Sequence, residues 1–476
     1  MSKETRVVVT GVGGVTPLGP TRNKEGNNEF WRNLTAGKSA IADIKSLKGV
    51  GVFERIKGAE IHDWRLEDYL DSSKIDRKVF RRISELDKMI QFALAATKLS
   101  IDDSCLENLD EVGFYTGNAM QGIGVMEKLI MDTIQKYAVL FGEELISEIS
   151  PFTGDSFDIR SFPNALKNVQ GEMKAKLEEL KREGIKDYKR INLFSLFKAL
   201  PPTIFNFTNY AISGQIASFF KIHGPTLAVN SSCSAGSDAI GNAYNIIKNN
   251  DSDVMIAGGS DAPIAYSILS MCNKLKVISK NGVKPGDIDR DGFALGEGAG
   301  YIVLEELKHA CKRNARIYSE IVAYSQSNDG YNMVALDPNG DFIKNSIYQT
   351  LKKANMSPSD IDYINPHGTS TKDCDSVESR IIQDVFGDSL EKIVVNPTKC
   401  FTGHLQAGAG AVEAIIINSI FENDFIPGTI EPTKKDGECV NYIPKSGLKK
   451  RINTALSLSM GFGGHNSVLL FKRYNE

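Results

Sequence analysis

The chain has 476 residues, enough for two large domains or two fused halves of one fold, with ample interior to bury. Its 59 acidic and 56 basic residues nearly cancel, which argues against nucleic acid as the main partner and leaves local patches as the electrostatic clue. The opening MSKETRVVVTG lacks a signal-peptide core and no segment reaches the ~18 apolar residues of a membrane span, so a cytoplasmic protein is expected. The seven cysteines are scattered without CxxC spacing, so free thiols are expected rather than a disulfide framework or a zinc site, and no metal is expected.

In chain order, Val7 to Thr10 reads as a strand entering a glycine turn, Gly11-Val12-Gly13-Gly14. Leu86 to Lys98 carries apolar residues at helical spacing, and Glu111 to Thr116 is another strand, so the pattern is α/β. Residues 137 to 200 form a polar excursion whose Glu172/Lys176 and Glu178/Arg182 pairs at i, i+4 suit an exposed helix, an insertion on the scaffold. Next comes AVNSSCSAGSDAIGNAYNIIKNNDSDVMIAGG: strand, cysteine turn, small-residue helix, strand. VVNPTKCFTGHLQAGAGAVEAIIINSIFENDFIPG repeats that order in the second half, even to the Val-Asn before the turn. GEGAGYIVLEEL (296 to 307) is echoed by GFGGHNSVLLFKR (461 to 473). Two matches in one order point to two related halves, 1–315 and 316–476.

Cys233 follows the strand TLAVN and precedes a helix, where free backbone N–H groups and the macrodipole favour an anion and lower a thiol pKa. Ser234, Ala235 and Gly236 allow the close approach that a sharp strand-to-helix elbow needs. Read alone, the stretch also suits an inert buried thiol. The second half shifts the balance: His367 lies in INPHGTST after the strand IDYI, and Lys399 and His404 lie in the turn that mirrors the cysteine turn. A pseudo-twofold brings mirrored turns together, and with them thiol, ammonium and imidazoles. Without a metal set, these groups suit thioester exchange onto Cys233, followed by enolate stabilisation at a second thioester by two neutral imidazoles.

Six ordered motifs, VVVTGVGGVTPLG, GPTLAVNSSCSAG, DRDGFALGEGAGYIVLE, INPHGTSTKDCDSVES, PTKCFTGHLQAGAGAVEAI and SLSMGFGGHNSVLLFKR, resemble those of the β-ketoacyl synthases of fatty-acid and polyketide assembly. The resemblance implies a thiolase-like α/β fold, two pseudo-symmetric βαβαβαββ halves in α-β-α-β-α layers, catalysing a decarboxylative Claisen condensation. It makes Cys233 the acylated nucleophile and gives His367 and His404 the malonyl thioester carbonyl. Lys399 holds the charge network, paired with Glu378. Thr369 and Thr371 bind the phosphopantetheine arm, Phe462 gates the acyl pocket, and the N–H groups of Cys233 and Phe462 form the oxyanion hole. No cofactor beyond the carrier's own phosphopantetheine is implied. The implied partner is an acidic acyl carrier protein, with KIDRKVFRR (74 to 82) and KSGLKKR (445 to 451) as candidate basic docking faces, and the protein is a homodimer or a heterodimer with a related chain.

Three positions depart from the family pattern: His465 in place of threonine, Cys272 in place of an aromatic residue, and Pro366 in place of alanine before His367. Other readings compete. A non-decarboxylating thiolase would carry a second cysteine in the C-terminal glycine loop, which here reads GFGGHN. A chain-length factor would lack the nucleophile. A nicotinamide enzyme would need glycine where Thr16 stands in TGVGGVTPLG.

Overall fold

The computed structural model describes residues 5–47, 56–120, 122 and 208–475. The whole excursion at 137–200, its proposed helix included, therefore lies outside the described residues.

Ten strands form one hydrogen-bonded path, with a further short strand, Gly19–Pro20, turning back on the first. In chain order they are β1 (Val7–Thr16), β2 (Gly113–Gly117), β3 (Thr226–Val229), β4 (Val254–Asp261), β5 (Gly298–Glu306), β6 (Ser319–Asn328), β7 (Tyr363–Asn365), β8 (Val394–Val395), β9 (Thr454–Gly461) and β10 (His465–Arg473). The spatial order is β3-β2-β4-β5-β1 and then β6-β10-β9-β7-β8. Counting each half from its own first strand, both read 3-2-4-5-1, and they meet where Val7–Val9 pairs antiparallel with Ile321–Ser319. Parallel pairing flanks the second strand of each half, and antiparallel pairing joins its fourth, fifth and first. The register even slips at the same place in both, after Val9 and after Ile321, so the repeat extends to a matched bulge.

Seven helices place the layers: α1 (Lys88–Ser104), α2 (Ala211–Phe220), α3 (Ala235–Lys248), α4 (Tyr266–Lys274), α5 (Asp341–Lys353), α6 (Lys372–Phe386) and α7 (Ala409–Asn423). Helices α3 and α7 touch each other and both five-stranded leaves, so they form the central layer. Accordingly α7 is buried at every position from Ala409 to Phe421, its polar Glu413, Asn418 and Ser419 included. Helices α1 and α2 cover the outer face of the first leaf, and α5, with α6 packed beside it, covers that of the second. This is the expected five-layer α-β-α-β-α arrangement.

One local expectation is corrected. The glycines at 11, 13 and 14 do not form a turn, because β1 runs through them to Thr16. Their role is clearance, since a Cβ on Gly13 would lie 2.1 Å from the Ala96 carbonyl oxygen of α1. The lack of side chains lets helix and strand backbones approach.

Candidate active site

The centre lies where the two halves present the same turn to each other. After β3 the chain enters a 3-10 turn, Ser232–Ser234, that runs straight into α3; after the second-half loop it enters Gln406–Gly408, which runs straight into α7. The first residue of each turn has a left-handed backbone, φ 55° at Ser232 and φ 51° at Gln406. These are sharp elbows that non-glycine residues seldom adopt. Small residues let the turns interlock: a Cβ on Gly236 or on Gly259 would lie 2.3 Å from the Ala407 carbonyl oxygen. Asp261 at the end of β4 clamps the second turn by accepting the Ala407 N–H at 3.3 Å.

Cys233 is 4% exposed and opens into a cleft of about 840 Å³ shared with His367, His404 and Gln406. Thr369 and Thr371, 3.4 Å apart through their hydroxyls, line its wall, and half-buried Phe462 lies at the same cleft. The Cys233 thiol donates to Gln406 Oε1 at 3.2 Å, Ser232 Oγ is 3.7 Å from the sulfur, and the Phe462 N–H points at it. Burial pushes the Cys233 thiol up; Ser232, Lys399 and the Phe462 N–H pull the other way without prevailing. The sequence-based expectation of a lowered thiol pKa is thus corrected, because desolvation at the closed interface outweighs the elbow's favourable dipoles.

The imidazoles of His367 and His404 meet edge to face, ring centroids 5.3 Å apart, and Phe293 also meets His404 edge to face at 5.4 Å. Burial, then the Lys399 charge, holds both well below the usual histidine value, so both rings are neutral near pH 7. Both rings line the cleft, and their Nδ1 atoms are buried without a hydrogen-bond partner among the described residues.

Lys399 opens the short helix Lys399–Thr402 and its ammonium bonds Glu413 on α7, with both side chains buried. The expected Lys399–Glu378 pair is therefore wrong. Glu378, on α6, instead accepts the backbone N–H groups of His367 at 2.5 Å and Gly368 at 2.8 Å, and so fixes the loop that carries the first histidine. Burial raises its carboxyl to about 8. The reason is topological: Glu413 stands on the central helix beside Lys399, whereas Glu378 reaches the backbone of its own preceding loop. Lys399 still acts at a distance, favouring the anion at Cys233 and Glu378 and disfavouring the cation at both histidines.

The three departures fall outside this constellation. Half-buried His465 opens β10 opposite Gly461 and Asn328; it is not among the cleft residues. Cys272 on α4 is buried in an apolar cluster with Phe293 and Leu269, within electrostatic reach of Cys233. Pro366 is the residue between β7 and His367. Sequence reasoning does not single out Gln406, Glu413 or Phe293. The signal for Gln406 was present in the repeat, since setting Ala235-Gly236 over Ala409-Gly410 places Gln406 opposite Ser232.

Comparison with known proteins agrees with this geometry. The N-terminal domain model of β-ketoacyl synthases matches residues 4–164 and 185–310, and the C-terminal domain model matches 318–433. The chain is 31% identical over 483 residues to 3-oxoacyl-[acyl-carrier-protein] synthase 2 of Synechocystis, covering 99% of each. It is 29% identical over 484 residues to the enzyme of the same name from Staphylococcus aureus, covering all of each. Among solved structures, a type II PKS acyl carrier protein in complex with its ketosynthase bound to the hexaketide superposes with TM-score 0.76 at 26% identity, over 99% of this chain and all of that one. The ishigamide ketosynthase/chain length factor shares the fold, with TM-score 0.77 at 24% identity over the same shares. With both domain models matched in order around a cysteine, two neutral histidines and a buried lysine, the chain belongs to the β-ketoacyl synthase family.

Proposed function

We propose that the cleft condenses a Cys233-bound acyl group with a malonyl thioester carried on an acyl carrier protein. The observation that carries this reading is the meeting of one thiol and two neutral imidazoles in a single cleft, with the charge of buried Lys399 acting on all three. In loading, the Cys233 sulfur attacks the carrier thioester. Its S–H bond breaks, the new C–S bond forms, and the departing pantetheine sulfur takes the proton. The N–H groups of Cys233 and Phe462 hold the tetrahedral oxyanion.

In condensation, the Nε2–H groups of His367 and His404 donate to the malonyl thioester carbonyl. As the C–C bond to the carboxylate breaks and CO2 leaves, the electron pair becomes an enolate held by those two donors. Neutral imidazoles suit this step because each has a proton to donate and neither loses it. The carbanion attacks the acyl carbon and Cys233 leaves as thiolate, taking up a proton from solvent. Lys399 steadies the charges while Glu413 fixes it in place, and Glu378 positions His367. Thr369 and Thr371 hold the carrier's pantetheine arm, and no other cofactor takes part. Residues 1–315 and 316–476 are the two halves, each supplying part of the site.

For the carrier's acidic surface we favour the helix Arg77–Ser84, where Arg77, Lys78 and Arg82 are exposed; in the other candidate segment Arg451 lies 3.8 Å from Asp424 and Lys450 is tied to the Lys392 carbonyl. The exposed edge of β3, with Thr226 and Leu227 open to solvent, is the surface for pairing with a second copy or a related chain. Incubation with a panel of acyl carrier thioesters followed by peptide mass spectrometry tests the reading. An acyl mass on Cys233 that disappears in Cys233→Ala is expected. An adduct on another cysteine, or none at any chain length, overturns it.

A further inference from the structure

Among the described residues, the side chain that bonds the nucleophile's sulfur most closely is neither histidine nor lysine but a carboxamide from the other half of the repeat. Cys233 and Gln406 are 4% and 1% exposed, and the sulfur lies 3.2 Å from Oε1. Gln406 stands at the strained position of its elbow, matching Ser232 in the elbow that presents Cys233. Strain of this kind persists where the surroundings impose it and where a side chain must be aimed. The turn cannot draw back, because the Ala407 carbonyl is wedged against Gly236 and Gly259 and the Ala407 N–H is held by Asp261.

A carboxamide presents an acceptor on one side and two donors on the other, and a half-turn about its last bond exchanges them. Facing a thiol, Oε1 accepts the S–H; facing a thiolate, Nε2 donates to the sulfur. Burial disfavours the Cys233 thiolate, so a donor that appears only when the thiolate forms acts where the site is otherwise weakest.

We propose that Gln406 is a further catalytic residue of the acyl-transfer steps: its carboxamide holds the resting Cys233 thiol through Oε1 and, turned over, donates Nε2–H to the thiolate. The inference rests on the reading of Cys233 as the acylated nucleophile. Gln406 gains and loses no proton. In loading, the thiol proton ends on the pantetheine sulfur as the new C–S bond replaces the carrier's. In release, the C–S bond to Cys233 breaks, the sulfur keeps the pair, and Nε2–H holds it until solvent supplies a proton.

The test is the pH dependence of Cys233 alkylation by iodoacetamide, located by peptide mass, in the full-length wild type, Gln406→Leu and Gln406→Glu. Leucine removes the donor; glutamate keeps the shape, offers only acceptors when ionised and adds a negative charge. The apparent Cys233 pKa is expected to rise in both, with alkylation at pH 7 slowed about tenfold in Gln406→Leu, the equivalent of one pKa unit, and further in Gln406→Glu. A thermal midpoint near the wild type identifies a folded variant, and Gln406→Met replaces the leucine variant if that one unfolds. Superimposable alkylation profiles, or a lower apparent pKa in Gln406→Glu, overturn the role of Gln406. Acylation of the wild type, scored in parallel, separates the two ideas. An acyl mass on Cys233 with unchanged alkylation profiles removes Gln406 alone, whereas an adduct elsewhere removes the nucleophile assignment itself.

Discussion

The elbow at Ser232–Ser234 and the elbow at Gln406–Gly408 share a backbone and differ in what they display. Both begin with a left-handed residue, both feed a central helix, and each packs against the other through glycine. The first presents Cys233, while the matching position of the second is Ala407, with chemistry moved to its flanks: Gln406 at the strained residue, His404 just before it and Lys399 further back. A duplicated scaffold therefore yields one asymmetric site. The nucleophile needs the tip of an elbow, and the groups that act on it need to come from the facing side.

The largest effect should come from erasing that difference. Cys233→Ala makes the two tips alike, and condensation measured by product formation should fall by a factor on the order of 10⁴ or more, as when other nucleophiles are removed. If turnover survives, the asymmetry has been misassigned. Glu413→Gln attacks the flank, leaving the buried Lys399 ammonium unpaired, and should cost about 3–5 kcal/mol of stability in denaturant unfolding. An unchanged midpoint would mean that Lys399 finds another partner. His404→Ala separates the steps: decarboxylation of malonyl carrier protein should drop roughly 10²- to 10⁴-fold while loading of Cys233 is spared more. Equal loss in both would place His404 on the first elbow's chemistry rather than the second's.

The smallest effect is on pH dependence. With His367 and His404 held well below 6.5, decarboxylation should show no inflection at that value. For these depressed pKa values the sign is clear: their stabilising contribution is present above pH 6.5 and is lost as pH falls below it, because the unfolded chain then binds protons that the native sites refuse. Equilibrium unfolding at pH 7.5 and 5.5 checks this.

Much of the architecture was legible in the residues. The alternation of periods marks α/β, and the Val-Asn, small-residue-helix repeat marks two halves, because a duplicated chain must keep the small residues where its central helices meet. Cys233, His367, His404 and Lys399 stand out for a similar reason: reactive side chains in small-residue or glycine-flanked loops are costly to keep without a use. Glycines 11, 13 and 14 misled because glycine serves both turns and close packing, and only what packs on β1, α1 over the first two, distinguishes them. Glu378 misled because a carboxylate near a lysine motif in sequence need not face it in space.

By itself, the sequence determined the fold family, the repeat and the set of groups that do chemistry, since period, spacing and residue type are local properties. Which carboxylate answers Lys399, which side chain touches the Cys233 sulfur, and whether the thiol is raised or lowered were decided only by tertiary structure. Those depend on burial and on contacts across the interface between two halves, where residues 173 positions apart in the chain come within 3.2 Å.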